Sequence, residues 1–124
     1  MSEHIISYTV LRIREGGLGR YKQLAEEIVR LVEAKNPRMI ALSLVINEAG
    51  TEARSVQVHP DSESFEFHMG LAASQMQEAM DYIEVLEFEV LGTPTDSLRA
   101  KFEAFDEPQR YWPLFAGFAR SPTS

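Results

Sequence analysis

Two hydrophobic periods alternate along this chain. Residues Ile5 to Ile13 are dense in β-branched and aromatic side chains and read as a strand, closed by the break Gly16-Gly17-Leu18-Gly19. From Leu18 to Lys35, Tyr21, Leu24, Ala25, Ile28, Leu31 and Val32 recur at three- and four-residue intervals, the signature of one helix face. Asn36-Pro37 ends that helix, because proline disfavours α geometry in the residue before it. Met39 to Asn47 is a second strand with almost no polar alternation. After the turn-like Glu48-Ala-Gly-Thr51, Ala53 to His59 forms a third strand, hairpinned with the second. Asp61 or Ser62 can cap the helix that follows, since either side chain accepts from backbone N–H groups of the first turn. This second helix runs to about Tyr82, with Phe65, Met69 (or His68), Ala72, Met76, Ala79 and Met80 facing inward. Ile83 to Leu91 is a fourth strand. Thr93-Pro94-Thr95-Asp96 is a turn and cap, Leu98 to Phe105 a short helix, and the chain from Pro108 is irregular or a short extra strand.

The order β-α-β-β-α-β implies an α+β fold of ferredoxin-like type: a four-stranded antiparallel sheet with both helices on one face and right-handed crossovers. Residues 1–124 read as one domain, with a core over about 5–92 and a C-terminal appendage over about 93–124. Such a sheet has a bare face, and a bare face in water should show polar alternation. The second strand, MIALSLVIN, is apolar on both parities, and the first carries Ile5, Leu11 and Ile13 on one side and Ile6, Tyr8 and Val10 on the other. Both sheet faces are built for burial, so a second copy related by a two-fold axis is expected over the bare one. The competing reading folds the C-terminal tail back over the sheet. If the apolar parities pack on the helices, Ser7, Thr9, Ser55, Gln57, His59, Glu87 and Glu89 line the other face and enclose a partly polar pocket there. Against this, Glu87 and Glu89 can simply be solvated on an edge strand.

Composition narrows the chemistry. With no cysteine, disulfides, thiolate nucleophiles and iron–sulfur centres are excluded. A net charge of −7 supplies the wrong field for nucleic acid, so no such partner is expected. The longest apolar run, Met39 to Ile46, is broken by Ser43 and falls short of the roughly 20 residues of a membrane helix. No basic segment followed by a long apolar stretch opens the chain, which makes the cytoplasm the default location and leaves no membrane partner.

His59 and His68 are the candidate proton acceptors, because free imidazole titrates near neutral pH. One ends the third strand and the other lies two turns into the second helix, so they can approach one mouth of the sheet. The purely structural alternative packs His68 beside Phe65 and Ala72 with a hydrogen bond to a backbone carbonyl. His59-Pro-Asp61 matches no established metal pattern, and neither a metal nor another cofactor is expected. GGLG lacks both the P-loop ending and the dinucleotide spacing and reads as a turn. Phe102, Phe105, Tyr111, Trp112, Phe115 and Phe118 gather half of the aromatics in the last fifth of the chain. Aromatics at that density pack on something: the barrel end, the other protomer or a ligand pocket.

With this element order and the stretch VQVHPDSESFEFHMG, residues 5–92 resemble the dimeric αβ-barrel superfamily, nearest its antibiotic-biosynthesis-monooxygenase-like group. His68 stands where family members carry a histidine near the start of the second helix. The family includes cofactor-independent oxygenases of polycyclic phenols, haem-degrading enzymes and other small-metabolite enzymes. The haem-degrading type combines a first-strand asparagine, a tryptophan late in the third strand and the helix histidine. Here Ser7 and Thr9 replace the asparagine, His59 stands near the tryptophan position and the one tryptophan is Trp112, which argues against haem. The resemblance implies a homodimeric monooxygenase-like enzyme on a small aromatic or dicarbonyl metabolite. His59 or His68 would be its proton acceptor, and Ser7, Tyr8, Thr9, Gln57, Glu87 and Trp112 would line the site. Tyr8, Arg12 and Trp112 would stand in for the pocket tyrosine, arginine and tryptophan of the cofactor-free oxygenases. A non-catalytic or stress-associated ligand-binding barrel and a structural dimerisation module are the alternatives.

Overall fold

The computed structural model describes residues 3–120. Its elements are β1 (Ile5–Ile13), α1 (Leu18–Lys35), β2 (Ala41–Ile46), β3 (Glu52–His59), α2 (Ser62–Ala79), β4 (Ile83–Leu91), α3 (Asp96–Glu103) and β5 (Gln109–Trp112). The sheet order is β2-β3-β1-β4-β5. The first four strands pair antiparallel, as expected for a ferredoxin-like α+β fold, and β5 adds a fifth strand parallel to β4. The expected four-stranded sheet is therefore five-stranded, because α3 carries the chain back to the end of the sheet from which β4 departs. Among the described residues no helix is long and apolar enough to cross a membrane.

Two apolar clusters fix the helices to one sheet face. The first joins Leu11, Ile13, Ala53 and Ile83 of the strands to Tyr21 and Leu24 of α1 and Ala79 of α2. The second joins Ile5 and Val90 to Phe65 of α2 and to Leu98 and Phe102 of α3. On α2, Met76 and Met80 stay exposed, while Phe65, His68, Ala72 and Ala79 are buried. The expectation that these two methionines face inward is thus corrected. In the C-terminal turn it is Ala79 that packs into the first cluster.

Asp61 caps α2, its carboxylate accepting from the Ser64 N–H at 3.0 Å. After β4 the chain turns at Gly92 with φ near +121°, where an added Cβ would lie 2.8 Å from the His4 carbonyl oxygen. Gly92→Ala meets both a backbone conformation that favours glycine and a rigid neighbour. It is expected to lower stability by more than about 1 kcal/mol, measured by urea unfolding.

Register overturns the expected assignment of faces. Residues paired across antiparallel strands share a face, and β1 aligns Ile5 with His59, Ser7 with Gln57, Thr9 with Ser55 and Leu11 with Ala53. Since Ile5, Leu11 and Ala53 lie under the helices, Ser7, Thr9, Ser55, Gln57 and His59 lie there too. Ile6, Tyr8, Val56 and Val58 take the bare face. Of the polar row, only Glu87 and Glu89 lie on the bare side as expected. A register shift between Val10 and Leu11 puts Phe88 and Val90 beside Ile83 and Val85 on the helix side, although their parities differ.

Candidate functional site

The register just described places a polar inset within the helix–sheet layer. β1 supplies Ser7, β3 supplies Gln57 and His59, and α2 supplies Ser64 and His68, all of them buried. Ser64 and His68 are four residues apart, one above the other on the inner face of α2. That face is aimed by its entry: Asp61 holds the first turn, Asn36 Nδ2 donates to the Ser64 carbonyl at 3.3 Å, and Arg38 pairs with Asp61. The Thr95 N–H donates to Ser62 Oγ at 3.0 Å, tying the same turn to the segment before α3.

His59 is committed at both ring nitrogens. Gln57 Oε1 lies 3.0 Å from Nε2 and Ser64 Oγ lies 2.8 Å from Nδ1. The Gln57 carbonyl oxygen can only accept, so Nε2 carries the proton and Nδ1 accepts from the Ser64 hydroxyl. Phe65 packs against the His59 ring at 4.5 Å between centroids, and His68 meets it edge-on at 5.6 Å. His68 differs: its Nδ1 is buried without a hydrogen-bond partner, and so is Ser7 Oγ. The backbone-carbonyl bond expected for a purely structural His68 does not form at Nδ1. Gln75 Oε1, two turns beyond His68 on α2, and the hydroxyl of Tyr111 are also buried and unpartnered. Tyr111 lies in the same register row as Gln57 and Ser7, separated from Ser7 by Val90. Leaving a buried polar atom unpaired costs about 1–3 kcal/mol. Such atoms have bonding capacity that water or a polar ligand can fill.

Neither imidazole titrates near neutrality, contrary to expectation. Burial pushes His59 down to about 3, aided by the neighbouring His68 and only partly offset by the Asp61 charge. Burial alone pushes His68 down to about 4. Both rings are neutral at pH 7 and act as directional donors and acceptors. Burial works against ionisation of Asp61, yet the Arg38 guanidinium and the Ser64 N–H hold its carboxyl below the ordinary range. Asp61 is thereby occupied in the junction. Among the described residues no three His, Cys, Asp or Glu side chains are grouped to hold a metal ion.

The candidate residues divide into two groups that the sheet keeps apart. Ser7, Thr9, Gln57, His59 and His68 share the helix side, whereas Tyr8, Glu87 and Trp112 lie on the bare face. There Tyr8 OH accepts from Arg54 Nε at 3.2 Å and Trp112 Nε1 donates to Glu89 Oε1 at 2.8 Å. Of the residues expected to line a pocket on the bare face, Ser7, Thr9, Gln57 and His59 thus lie on the opposite side, because they share register rows with residues of the helix-side clusters. A separate depression of about 310 Å³ at the β2–β3 hairpin is lined by Val45, Ile46, Asn47, Glu52, Ala53 and Arg54. It contains neither histidine, and its charged groups pair with each other at 3.4 Å. Nothing in the sequence pointed to Ser64 as part of the inset, nor to the unpartnered Gln75 Oε1 and Tyr111 hydroxyl. Ser64 reads as an ordinary first-turn serine until His59 is seen beneath it.

No family model matches the sequence, and no curated protein matches it either. Solved structures do. MupZ from Pseudomonas fluorescens superposes with a TM-score of 0.81 at 20% identity, covering 97% of this chain and 91% of that one. A putative antibiotic biosynthesis monooxygenase from Bacteroides thetaiotaomicron gives 0.64 at 13% identity over 69% of this chain and 85% of its own. SnoaB, a cofactor-independent oxygenase from Streptomyces nogalater, gives 0.63 at 8% identity over 76% and 96%. The chain has the ferredoxin-like fold of these structures.

Proposed function

We propose that this chain binds a small aromatic or dicarbonyl metabolite between its helices and sheet and acts on it as a cofactor-independent, monooxygenase-like enzyme. The observation that carries this reading is the pair of buried, unpartnered atoms, Ser7 Oγ and His68 Nδ1, beside a fully bonded Gln57–His59–Ser64 chain. Ser7 would donate to a ligand oxygen, and His68 Nδ1 would accept a proton from an acidic phenol or enol. The anion formed beside His68 then stabilises the imidazolium, offsetting the burial that otherwise disfavours it. His59, with both nitrogens engaged, is a positioning residue: it fixes the first turn of α2 and packs against His68. The solved neighbours described as a monooxygenase and a cofactor-independent oxygenase support the reaction class. The protein would work as a cytoplasmic, single-domain homodimer, in keeping with its bare apolar sheet face.

A second reading is a non-catalytic binder. It is favoured by the low basicity of His68, which burial pushes down to about 4. Oxygen uptake with a panel of hydroquinones and 1,3-dicarbonyls separates the two. Turnover in the wild type that His68→Leu abolishes supports the enzyme, whereas calorimetric binding without oxygen consumption supports the binder. If no panel member binds or reacts and native mass spectrometry finds no retained ligand, both readings fail.

The same site makes a stability prediction. Ser7→Ala and His68→Leu each remove an unsatisfied buried polar atom. Each is expected to leave thermal stability unchanged or raise it by up to about 1 kcal/mol, while ligand binding is lost. A loss of stability in both variants would show that these atoms serve the fold.

A further inference from the structure

The helix-facing side of the sheet is packed tightly at its two ends and less so in the middle. One apolar cluster gathers Leu11, Ala53 and Ala79, the other Ile5, Phe65 and Val90. Between them runs the register row Leu44, Ser55, Thr9 and Phe88. All four are only half-buried, although Thr9 and Ser55 face the helices from strands flanked on both sides. Close packing would bury such positions completely, so the helices stand off the sheet along this row.

The part of α2 above this row follows from the helix's two fixed ends. Phe65 shares a cluster with Ile5, and Ala79 shares one with Leu11. From Ile5 to Leu11 is about 20 Å at the rise of a strand. From Phe65 to Ala79 is about 21 Å at the rise of a helix, so α2 and β1 run level in the same direction. On that scale His68 stands at the level of Ser7 and Gln75 at the level of Thr9. His68 and Gln75 are seven residues apart, which returns them to nearly the same helix face, about 10 Å apart along the axis. Between them lies the wholly buried Ala72, whose side chain is a single methyl group. Three residues beyond Gln75, Glu78 accepts from Arg20 of α1 at 2.7 Å, so Gln75 lies on the flank of α2 that adjoins α1. Its Oε1 is sealed from solvent without a hydrogen-bond partner, as His68 Nδ1 is.

We propose that Gln75 is a specificity-determining contact at the far end of the ligand site, and that the ligand is an elongated molecule carrying a hydroxyl group at the end away from His68. The proposal rests on the reading of the inset as a ligand site and adds the far end of its occupant. An amide carbonyl oxygen only accepts, so the group that pairs with Gln75 Oε1 is a donor. The body of the ligand lies beneath Ala72 and along the Thr9–Phe88 row. A molecule with an acidic phenol or enol alone pairs with His68 Nδ1 and leaves Gln75 Oε1 unpaired. One with a hydroxyl about 10 Å further along pairs with both. The site thus selects its ligand by length and by the polarity of the second end.

Calorimetric titration with benzoylacetone, its para-hydroxy derivative and its para-methoxy derivative tests this, with thermal unfolding confirming that each variant is folded. The para-hydroxy compound is expected to bind the wild type about tenfold tighter than benzoylacetone, the scale of one neutral hydrogen bond. The para-methoxy compound cannot donate and should bind no tighter than benzoylacetone. Gln75→Met, close in size, should erase the preference for the hydroxyl and leave the affinity for benzoylacetone little changed. It should not lower the thermal midpoint, because it removes an unpaired buried oxygen. His68→Leu should weaken binding of all three compounds. A wild type without the hydroxyl preference, or a preference that survives Gln75→Met, overturns the role of Gln75. The ligand site still stands in that case if His68→Leu weakens all three. A para-methoxy compound that binds as tightly as the para-hydroxy one overturns the requirement for a donor. If none of the three binds, the ligand site and this contact fail together.

Discussion

Lowering the pH from 7 to 4 is expected to cost this protein several kcal/mol of stability, with much of the loss above the range where carboxylates titrate. The unfolded chain protonates its histidines near pH 6.5. In the folded state burial pushes His59 down to about 3 and His68 down to about 4. A group whose folded pKa is depressed binds protons first in the unfolded state. Burying these two rings therefore carries no proton-linked penalty above about pH 6.5, and the penalty grows as the pH falls toward the folded values. Asp61 and Glu66, whose carboxyls are held below their ordinary range, add their losses lower, under about pH 4. Urea unfolding at half-unit steps should thus show a slope between pH 6.5 and 5 that His68→Gln reduces and His59→Gln/His68→Gln removes. Imidazole NMR resonances of His59 and His68 should not titrate between pH 8 and 5. A flat stability profile over that window, or a titration midpoint near 6.5 for both rings, would mean that the inset is open to water.

Phe102→Ala is expected to cost about 3–5 kcal/mol, the range for removing a buried aromatic. Phe102 is wholly buried and holds α3 on the sheet, meeting Phe65 edge-on and Phe88 near edge-on, both at 5.1 Å. Phe65 in turn packs on His59. The loss should therefore spread to the site: Phe65 gains room, the His59 ring loses its wall, and ligand binding weakens even at temperatures where the variant stays folded. Leu98→Ala, in the same cluster but without an aromatic contact to Phe65, serves as the comparison. It is expected to cost about 2–4 kcal/mol with a smaller effect on binding. Chemical denaturation and ligand titration of the two variants check this. Equal losses of binding at equal stability would show that Phe65 does not transmit the change.

The position of the elements was largely written in local sequence. The limits of β1, α1 and β4 follow from runs of β-branched residues or a three-to-four period ended by a local break, and the structure keeps them. Local signals suffice there because GGLG and Asn36-Pro37 act on their own backbone. The α2 start was legible as a choice between Asp61 and Ser62, and the hydrogen bond to the Ser64 N–H decides for Asp61. The fifth strand was visible only as an option, because four residues of QRYW carry too little pattern to outweigh a loop.

Which side of the sheet each residue faces was decided by tertiary structure alone. In β1 both parities are apolar, so the pattern has a period but no sign. The sign came from register: Ile5, Leu11 and Ala53 joined the helices and carried Ser7, Gln57 and His59 with them. Those polar groups are tolerable under the helices because Ser64 meets one nitrogen of His59 and Gln57 the other, a pairing between segments that no spacing along the chain reveals. The sequence determined that this protein would have polar residues buried on a sheet and two histidines close to them. The tertiary structure decided that they sit beneath the helices, neutral, with Ser7 Oγ and His68 Nδ1 left unpaired.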